Sequence, residues 1–191
     1  MKKNVLILGS GGREYAMAWK LSNDQNVNKI YCAPGNAGTA KIGINKSLPL
    51  DDYSLILAFV NNKNIDLIIV GPEKPLVDGI VDYLEEHNIK VFGPNKIASQ
   101  LEGSKIFTKK LCENFNIPTA KFGVFYKINE AENFLKKCNY PIVIKADGLA
   151  AGKGVYISET NSEANLAVKE IFNGKFGQAK QILIEEFLDG E

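Results

Sequence analysis

A glycine-rich run between two lysines is the part of this sequence best suited to binding phosphate groups. It reads Lys145-Ala146-Asp147-Gly148-Leu149-Ala150-Ala151-Gly152-Lys153-Gly154 and separates two apolar runs that are typical of strands. Glycines would let the loop close over a polyphosphate, and Lys145 and Lys153 would offset its charge. Gly154 stands where a Walker A loop has Ser or Thr, so the loop is of another kind. A plain hairpin turn would explain the glycines but not a lysine at the end of a buried strand.

An earlier glycine-rich turn, Gly9-Ser10-Gly11-Gly12-Arg13-Glu14, lies between the first predicted strand and the first predicted helix. Backbone N–H groups there could approach a phosphate, and the helix N-terminus adds partial positive charge. A nicotinamide dinucleotide site is disfavoured because Glu14 replaces the third glycine of its fingerprint. The second strand also leads into Cys32-Ala33-Pro34-Gly35, without the acid that would hold a ribose. A tight connection without a ligand remains the alternative.

Two further turns follow predicted strands. Pro34-Gly35-Asn36-Ala37-Gly38-Thr39 offers backbone donors, an amide and a hydroxyl, and Gly71-Pro72-Glu73 places a carboxylate just beyond a strand end. Ligands of doubly wound sheets bind at the carboxyl ends of the strands. The three turns together therefore predict a site for a small, hydroxylated, phosphorylated ligand. In the alternative interpretation, the glycines only shape loops and Glu73 only caps the helix that follows.

Strand and helix patterns alternate through the first half of the chain. The predicted strands are Val5–Leu8, Ile30–Ala33, Ile65–Val70 and Val91–Phe92. The predicted helices are Arg13–Leu21, Asp51–Asn61 with Asp51 or Asp52 as its cap, and a single helix carrying Leu76, Val77, Ile80, Val81 and Leu84. Continuous apolar strands that alternate with helices indicate a parallel sheet covered on both faces. The predicted fold class is therefore α/β, with a Rossmann-like, doubly wound parallel sheet.

The second half has a different pattern, which predicts a small α+β unit. Its predicted helices are Asn95–Leu101, Ser104–Phe115, one carrying Ala131, Phe134, Leu135 and Cys138, and one carrying Ala164, Val168, Ile171 and Phe172. Its predicted strands are Lys121–Tyr126, Ile142–Lys145, Val155–Ser158 and Ile182–Glu185. The chain stops at Glu191, just after an acid-rich strand and with no helix to cover the sheet, which predicts a fragment.

Composition argues against several classes of partner. The formal net charge is +1, so no strong field indicates binding to nucleic acid or a membrane surface. No stretch approaches the roughly 20 apolar residues of a membrane helix. The residues before the first strand lack the apolar region and cleavage site of a signal peptide, so we expect none. Three cysteines without a C-x-x-C pair, and His87 as the only histidine, favour reduced thiols over a zinc site. We therefore expect a cytoplasmic protein.

Six stretches in this order resemble the phosphoribosylamine–glycine ligase family of the ATP-grasp superfamily. They are GSGGRE at 9–14, APGNAGT at 33–39, VGPE at 70–73, LEGSK at 101–105, KADGLAAGKGV at 145–155 and IEEFLDGE at 184–191. The resemblance implies an N-terminal Rossmann-like substrate-binding domain at 1–102. It implies a helical linker and the start of the ATP-grasp domain at 103–120, and an ATP-grasp lid at 121–191. Because family members are longer, the ATP-grasp core would be truncated.

The implied reaction is ATP-dependent ligation of glycine to 5-phosphoribosylamine in purine biosynthesis. Glycyl phosphate would form first, and the products would be glycinamide ribonucleotide, ADP and phosphate. The implied cofactors are ATP and Mg²⁺ or Mn²⁺, with metal ligands downstream of Glu191. We expect the full-length protein to be a monomer and this chain alone to be inactive.

The resemblance also carries site residues onto matching positions, without a catalytic residue or metal ligand among them. The implied ATP-binding residues are Lys105, Lys145, Gly148, Gly152, Lys153, Gly154, Glu185, Glu186, Phe187, Leu188 and Glu191. The implied substrate-binding residues are Gly11, Gly12, Glu14, Asn36, Gly38 and Glu73. The chain departs from the family at Tyr15, where a histidine is usual. Tyrosine can donate a hydrogen bond but cannot act as a base at neutral pH.

Other functions stay open on the sequence alone. Within the superfamily, the chain could belong to another carboxylate–amine ligase, one that uses a different purine intermediate or a biotin-linked acceptor. From other classes, it could be a nucleotide-binding module without catalysis or a nicotinamide-dependent oxidoreductase. The combination of PGNAGT with KADGLAAGKGV favours the glycine ligase.

Overall fold

A computed structural model describes residues 2–149, 153–177 and 179–190. The chain divides into two compact units, residues 1–99 and residues 100–191. Within the described ranges, no helix is both long and apolar enough to span a bilayer.

The first unit is built on a parallel sheet, which confirms the predicted fold class. Its strands are β1 Lys3–Gly9, β2 Val27–Pro34, β3 Ile44–Asn45, β4 Leu67–Val70 and β5 Val91–Phe92. Its helices are α1 Gly12–Ser22, α2 Tyr53–Lys63, α3 Glu73–Asp78 and α4 Ile80–Glu86, with a 3-10 turn at Thr39–Lys41. The strand order among the described residues is β3-β2-β1-β4-β5, and every pairing is parallel.

Helices cover both faces of this sheet, as a doubly wound fold requires. On one face, α2 and α4 pack on the strands through Ile56, Val60, Ile80, Val81 and Leu84. On the other face, α1 contributes Ala18 to a cluster with Val5, Ile7, Ile30 and Ile69. Strand β1 is therefore apolar on both sides, which explains its continuous run of hydrophobic residues.

The apolar spacing from Leu76 to Leu84 predicts one helix, and this prediction is wrong. Helix α3 ends at Asp78, and α4 begins at Ile80. Between them Gly79 has φ +102°, a left-handed conformation that glycine adopts without steric penalty. Its N–H donates to the carbonyls of Pro75 and Leu76 and so closes α3. The apolar spacing continues across the break, so the sequence pattern does not reveal it.

The cap of α2 and the short strand β3 differ in how well the sequence predicts them. Asp52 caps α2 by accepting a hydrogen bond of 3.0 Å from the Leu55 N–H, which confirms one of the two predicted caps. The sequence does not predict strand β3, because two residues are too few to show a periodic pattern. The short strand is nevertheless paired with β2 in the sheet.

The second unit contains an antiparallel sheet, which confirms the predicted α+β character. Its strands are β6 Phe122–Phe125, β7 Ile142–Ala146, β8 Val155–Ser158 and β9 Ile182–Glu186. Its helices are α5 Gln100–Gly103, α6 Lys105–Asn114, α7 Ile128–Leu135 and α8 Asn161–Phe172. Among the described residues the strand order is β6-β9-β7-β8.

Side chains alternate across this second sheet. Helices α7 and α8 pack on one face, against Ile142, Ile144, Ile182 and Ile184. Residues at the intervening positions point to the opposite face, because successive side chains of a strand alternate. Lys145 and Glu185 occupy such positions on β7 and β9, so the fold brings these two charged side chains to the same face.

The predicted helix over Asn95–Leu101 is also wrong in extent. Residues 96–99 form turns, and α5 begins only at Gln100. The Asn95 side chain accepts a hydrogen bond from the Ala98 N–H, and its carbonyl accepts one from the Ser99 N–H. An asparagine that bonds its own backbone in this way favours a turn over a longer helix.

Candidate functional site

The three turns at the strand ends of the first unit lie together at one edge of the sheet. Strands β2, β1 and β4 are neighbours and run parallel, so their carboxyl ends meet there. Gly9 at the end of β1 pairs with Pro34 of β2, and Leu8 pairs with Val70 of β4. The predicted convergence of the turns is therefore present.

Asn36 joins the first turn to the second. Its Nδ2 donates to the carbonyl oxygens of Ser10 at 2.9 Å and Gly11 at 3.1 Å. Its Oδ1 accepts from the backbone N–H groups of Gly38 at 2.8 Å and Thr39 at 2.9 Å. Both ends of the amide are thus bonded within the protein. Asn36 shapes the crevice, and its side chain is already occupied.

Glu14 is buried beneath the first turn, with 4% of its surface exposed. Its Oε2 accepts from the Gly11 N–H at 2.5 Å. Its Oε1 has no hydrogen-bond partner among the residues that the structure describes. A Cβ atom added at Gly9, Gly11 or Gly71 would lie closer to this side chain than van der Waals contact allows. These glycines therefore make room for a buried glutamate, a role that a ligand-centred interpretation of the motif misses.

Glu73 connects the third turn to the first. Its Oε1 lies 2.7 Å from Arg13 Nη2, and both side chains are substantially exposed. The backbone amide of Glu73 and the Arg13 guanidinium lower the pKa of the Glu73 carboxyl. At Gly12, by contrast, an added Cβ would meet nothing within 4 Å, so the first turn of α1 is open on that side.

Tyr15, the position where the resembled family usually has histidine, lies at the same edge. A Cβ added at Gly38 would fall 2.7 Å from the Tyr15 ring, so the ring packs closely over this glycine. The side chain remains partly exposed. The aromatic ring thus contributes to the shape of the crevice.

The second unit contains a cavity of about 290 Å³ bordered by cationic side chains. Its lining residues are Leu101, Glu102, Lys105, Thr108, Lys109, Thr119, Lys145 and Leu183. Helix α6 supplies Lys105 and Lys109, and β7 supplies Lys145. Sequence reasoning identified Lys105 and Lys145 but missed Lys109, which lies one helical turn after Lys105.

A buried carboxylate lies between two of these lysines. Glu185 is 6% exposed. Its Oε1 forms an ion pair with Lys145, and its Oε2 lies 2.6 Å from Lys109 Nζ. Burial raises the pKa of the Glu185 carboxyl, but the contacts with the two ammonium groups outweigh burial, so the net pKa is lowered. The side chain of Glu185 is therefore held as an anion inside the protein.

The start of the glycine-rich loop is anchored to helix α6. Lys105 Nζ donates to the Gly148 carbonyl at 3.0 Å. Asp147 accepts hydrogen bonds from the Ser104 hydroxyl, the Ile106 N–H and Gln181 Nε2. Gly148 then turns with φ +104°, which favours glycine there. Asp147 belongs to the predicted loop motif, but sequence reasoning assigned it no role.

The far end of the loop returns to β7. The Gly154 carbonyl accepts a hydrogen bond of 2.8 Å from the Ala146 N–H, and Gly154 has φ +78°. Lys153 is exposed. Gly152, which the resemblance assigns to ATP binding, lies outside the described residues.

The segment predicted to hold an adenine base, residues 185–188, spans the end of β9. The Glu186 carboxylate accepts a hydrogen bond of 2.9 Å from the Lys121 N–H. Phe187 and Leu188 are exposed. Glu191, the predicted contact of the ribose, lies outside the described residues. Within the described ranges, no group of three or more His, Cys, Asp or Glu side chains could hold a metal ion.

Comparison with known protein families accounts for both halves of the chain. Residues 3–102 match the family described as phosphoribosylglycinamide synthetase, N domain. Residues 103–191 match phosphoribosylglycinamide synthetase, ATP-grasp (A) domain.

Individual relatives agree with these matches. The chain is 49% identical to phosphoribosylamine–glycine ligase from Clostridium acetobutylicum, over 97% of this chain and 45% of the relative. It is 50% identical to the Brucella melitensis protein of the same name, over 98% of this chain and 44% of the relative. The chain thus spans less than half the length of these curated relatives.

Solved structures give the same result. The crystal structure of phosphoribosylamine–glycine ligase from Thermotoga maritima matches with a TM-score of 0.79 and 33% identity, over 98% of this chain and 44% of that one. A biotin carboxylase domain from Hydrogenobacter thermophilus matches with a TM-score of 0.75 at 18% identity, over 99% of this chain and 45% of that one, which shows a shared fold alone. The family profiles cover nearly every residue in the expected order, and the chain therefore belongs to the phosphoribosylglycinamide synthetase (phosphoribosylamine–glycine ligase) family.

Proposed function

We propose that this chain supplies the acceptor-binding domain and the nucleotide lid of an ATP-dependent ligase that joins glycine to 5-phosphoribosylamine. The observation that carries the proposal is the lysine-bordered cavity beside an anchored glycine-rich loop, in a chain of this family. Residues 1–102 would bind phosphoribosylamine, 103–120 would begin the ATP-grasp domain, and 121–191 would form the lid. The family matches at 3–102 and 103–191 support this division.

The chemistry of the cavity suits the phosphates of a nucleotide. Lys105 and Lys145 border it, and an ammonium group is a strong donor to phosphate oxygens. A volume of about 290 Å³ is small for a ligand pocket, so it would hold phosphates and not a whole nucleotide. The base would then extend along residues 185–188, which include the last two residues of β9 and the two that follow it.

The strand-end crevice suits the other substrate. The open first turn of α1 at Gly12 presents backbone N–H groups to a phosphate, and the helix dipole adds positive potential. Asn36 keeps the neighbouring turn in place, and Glu73 with Arg13 borders the same edge. Phosphoribosylamine bound there would have its phosphate fixed and its amine oriented.

In the proposed reaction, ATP supplies a phosphoryl group that activates the glycine carboxylate as glycyl phosphate. The amine of phosphoribosylamine then attacks the carbonyl carbon, and phosphate leaves. Lys105 and Lys145 would offset charge on the transferring group, and the loop from Gly148 to Gly154 would exclude water. Positioning contributes most of the acceleration in such reactions. Among the described residues, no group of three or more His, Cys, Asp or Glu side chains could hold Mg²⁺ or Mn²⁺. The roles assigned above to Lys105, Lys145 and the loop do not depend on a metal ion.

Phosphate release tests this proposal in the complete product of the gene and in this chain alone. We expect turnover by the complete protein to require ATP, glycine and freshly made phosphoribosylamine, and this chain alone to show none. Lys145→Met should lower kcat/KM for ATP by about 100-fold, because it removes a charged phosphate contact. Lys110→Met, which removes an exposed charge from the same helix as Lys105, is the control. Turnover with a different acceptor would instead assign the chain to another carboxylate–amine ligase.

A further inference from the structure

The Glu185 carboxylate is shared by two lysines, one at each oxygen. Lys145 contacts Oε1, and Lys109 Nζ lies 2.6 Å from Oε2. The carboxylate is 6% exposed, so solvent screens these ion pairs weakly. Two positive charges and one negative charge leave this cluster with a net charge of +1.

The two lysines differ in what else they contact. Lys109 Nζ also donates hydrogen bonds to Thr119 Oγ1 at 2.6 Å and to the Ala120 carbonyl at 3.1 Å, so two further protein groups hold it beside its ion pair with Glu185. Its side chain is 12% exposed. Among the described residues, Glu185 is the one polar partner of the Lys145 ammonium group, and the Lys145 side chain is 27% exposed at the cavity. Lys109 is therefore held in place by three protein groups, whereas Lys145 is more exposed and has donors left for a ligand.

Lys109 determines whether the net positive charge of the cluster is available at Lys145. Without Lys109, Glu185 would have Lys145 as its sole cation, and the two would form a neutral pair. A phosphate would then have to compete with a buried carboxylate for the same ammonium group. With Lys109 present, one carboxylate oxygen is already compensated, so Lys145 keeps an uncompensated charge at the cavity.

We propose that Lys109 is a positioning residue for nucleotide binding: it compensates the Glu185 carboxylate and thereby leaves Lys145 available to phosphate. The part of this inference that concerns nucleotide rests on the proposed function. The sharing of Glu185 between the two lysines does not.

Nucleotide affinity is the first readout, measured as the dissociation constant of ATP by calorimetry in the complete protein. Lys109→Met, which keeps length but not charge, should weaken binding about tenfold. Lys109→Arg should restore affinity to within about twofold of the unaltered protein. The control Lys110→Met removes an exposed charge from the next position of α6 and should change nothing.

A second substitution separates this role from a structural one. In Lys109→Met/Glu185→Gln the carboxylate that captures Lys145 is gone, so ATP affinity should return to that of Glu185→Gln alone. If Lys109 only supported the fold, the double variant would bind no better than Lys109→Met. Should Lys109→Met fail to fold, Lys109→Gln replaces it, since a neutral amide can still donate to Thr119.

The acetylation rate of Lys145, followed by peptide mass spectrometry without nucleotide, tests the charge sharing directly. Lys109→Met should slow acetylation several-fold because Glu185 then holds Lys145 alone, and the added Glu185→Gln change should reverse this. Unchanged acetylation and unchanged ATP affinity in a folded Lys109→Met protein would overturn the proposal. Absence of ATP binding in the unaltered protein would contradict the proposed function, while Lys145 acetylation would still decide the charge sharing.

Discussion

The Asp147 carboxylate lies 3.0 Å from the Ser104 hydroxyl, although 43 positions of the chain separate the two residues. Ser104 also caps helix α6 by accepting from the Phe107 N–H. Asp147 accepts further hydrogen bonds from the Ile106 N–H and from Gln181. One carboxylate thus holds the start of the glycine-rich loop against the helix that carries Lys105.

Replacement of Asp147 should destabilise the second unit. We expect Asp147→Ala to lower the free energy of unfolding by about 2–3 kcal/mol, because it leaves several donors without their charged acceptor. Urea denaturation followed by circular dichroism measures this. Glu113→Gln, which neutralises an exposed acid on α6, is the matched control and should stay within about 0.5 kcal/mol of the unaltered chain. Equal stability of both variants would contradict the anchoring role of Asp147.

The glycine at position 71 is required by Glu14. A Cβ added there would overlap the buried Glu14 carboxylate, so Gly71→Ala should destabilise the first unit by about 2–3 kcal/mol. Gly12→Ala adds the same methyl group where nothing lies within 4 Å and should be neutral or slightly stabilising. Thermal unfolding of both variants provides the comparison.

A double substitution tests the cause of that effect. If overlap with Glu14 is responsible, Gly71→Ala should destabilise the protein less in a Glu14→Ala background than in the original one. Independent, additive effects of the two changes would show that Gly71 is needed for another reason.

Replacement of Asn36 by aspartate should destabilise the protein. In Asn36→Asp a carboxylate would replace the amide that donates to the Ser10 and Gly11 carbonyls, so attraction would become repulsion. We expect a loss of about 2 kcal/mol in the free energy of unfolding. The KM for phosphoribosylamine should also rise in the complete protein, since the first two turns would separate. Asn62→Asp, at an exposed position of α2, is the control and should leave both quantities unchanged.

The Glu185 carboxyl should make the free energy of unfolding depend on pH. Folding lowers the pKa of its carboxyl, since the contacts with Lys109 and Lys145 outweigh the opposing effect of burial. Its contribution is therefore complete above the ordinary glutamate pKa of 4.5 and is lost as the pH falls through the folded-state value. We expect the free energy of unfolding to fall below about pH 4.5, with a smaller slope in Glu185→Gln. A slope that Glu185→Gln leaves unchanged would assign the acid sensitivity to other carboxyls.

Local pattern was sufficient for the architecture of the first unit. Continuous apolar strands such as Ile65–Val70 predict a sheet covered on both faces, and the cap at Asp52 is a contact of only three residues' span. Parallel strands place their carboxyl ends at one edge, so the meeting of the three turns also follows from the pattern. The break at Gly79 does not, because the apolar spacing is the same on both sides of it.

The candidate site was predictable only in part. The glycine-rich loop, Lys105 and Lys145 carry a recognisable motif, and their assignment to ATP remains a prediction. Lys109 carries no such signal, since a lysine on a helix is common. Asp147 lies inside the loop motif, but nothing in the sequence indicates that it anchors the loop to α6.

The sequence by itself determined the alternation of the main strands and helices, the family, and which residue types could bind phosphate. Only the tertiary structure decided which partners those residues have: Asn36 with the first turn, Glu14 with a pocket of glycines, and Glu185 between two lysines. The physical reason is the distance along the chain between the residues that interact. Periodicity and caps depend on neighbours within a few positions, whereas a buried hydrogen bond or ion pair depends on backbone segments that the completed fold brings together.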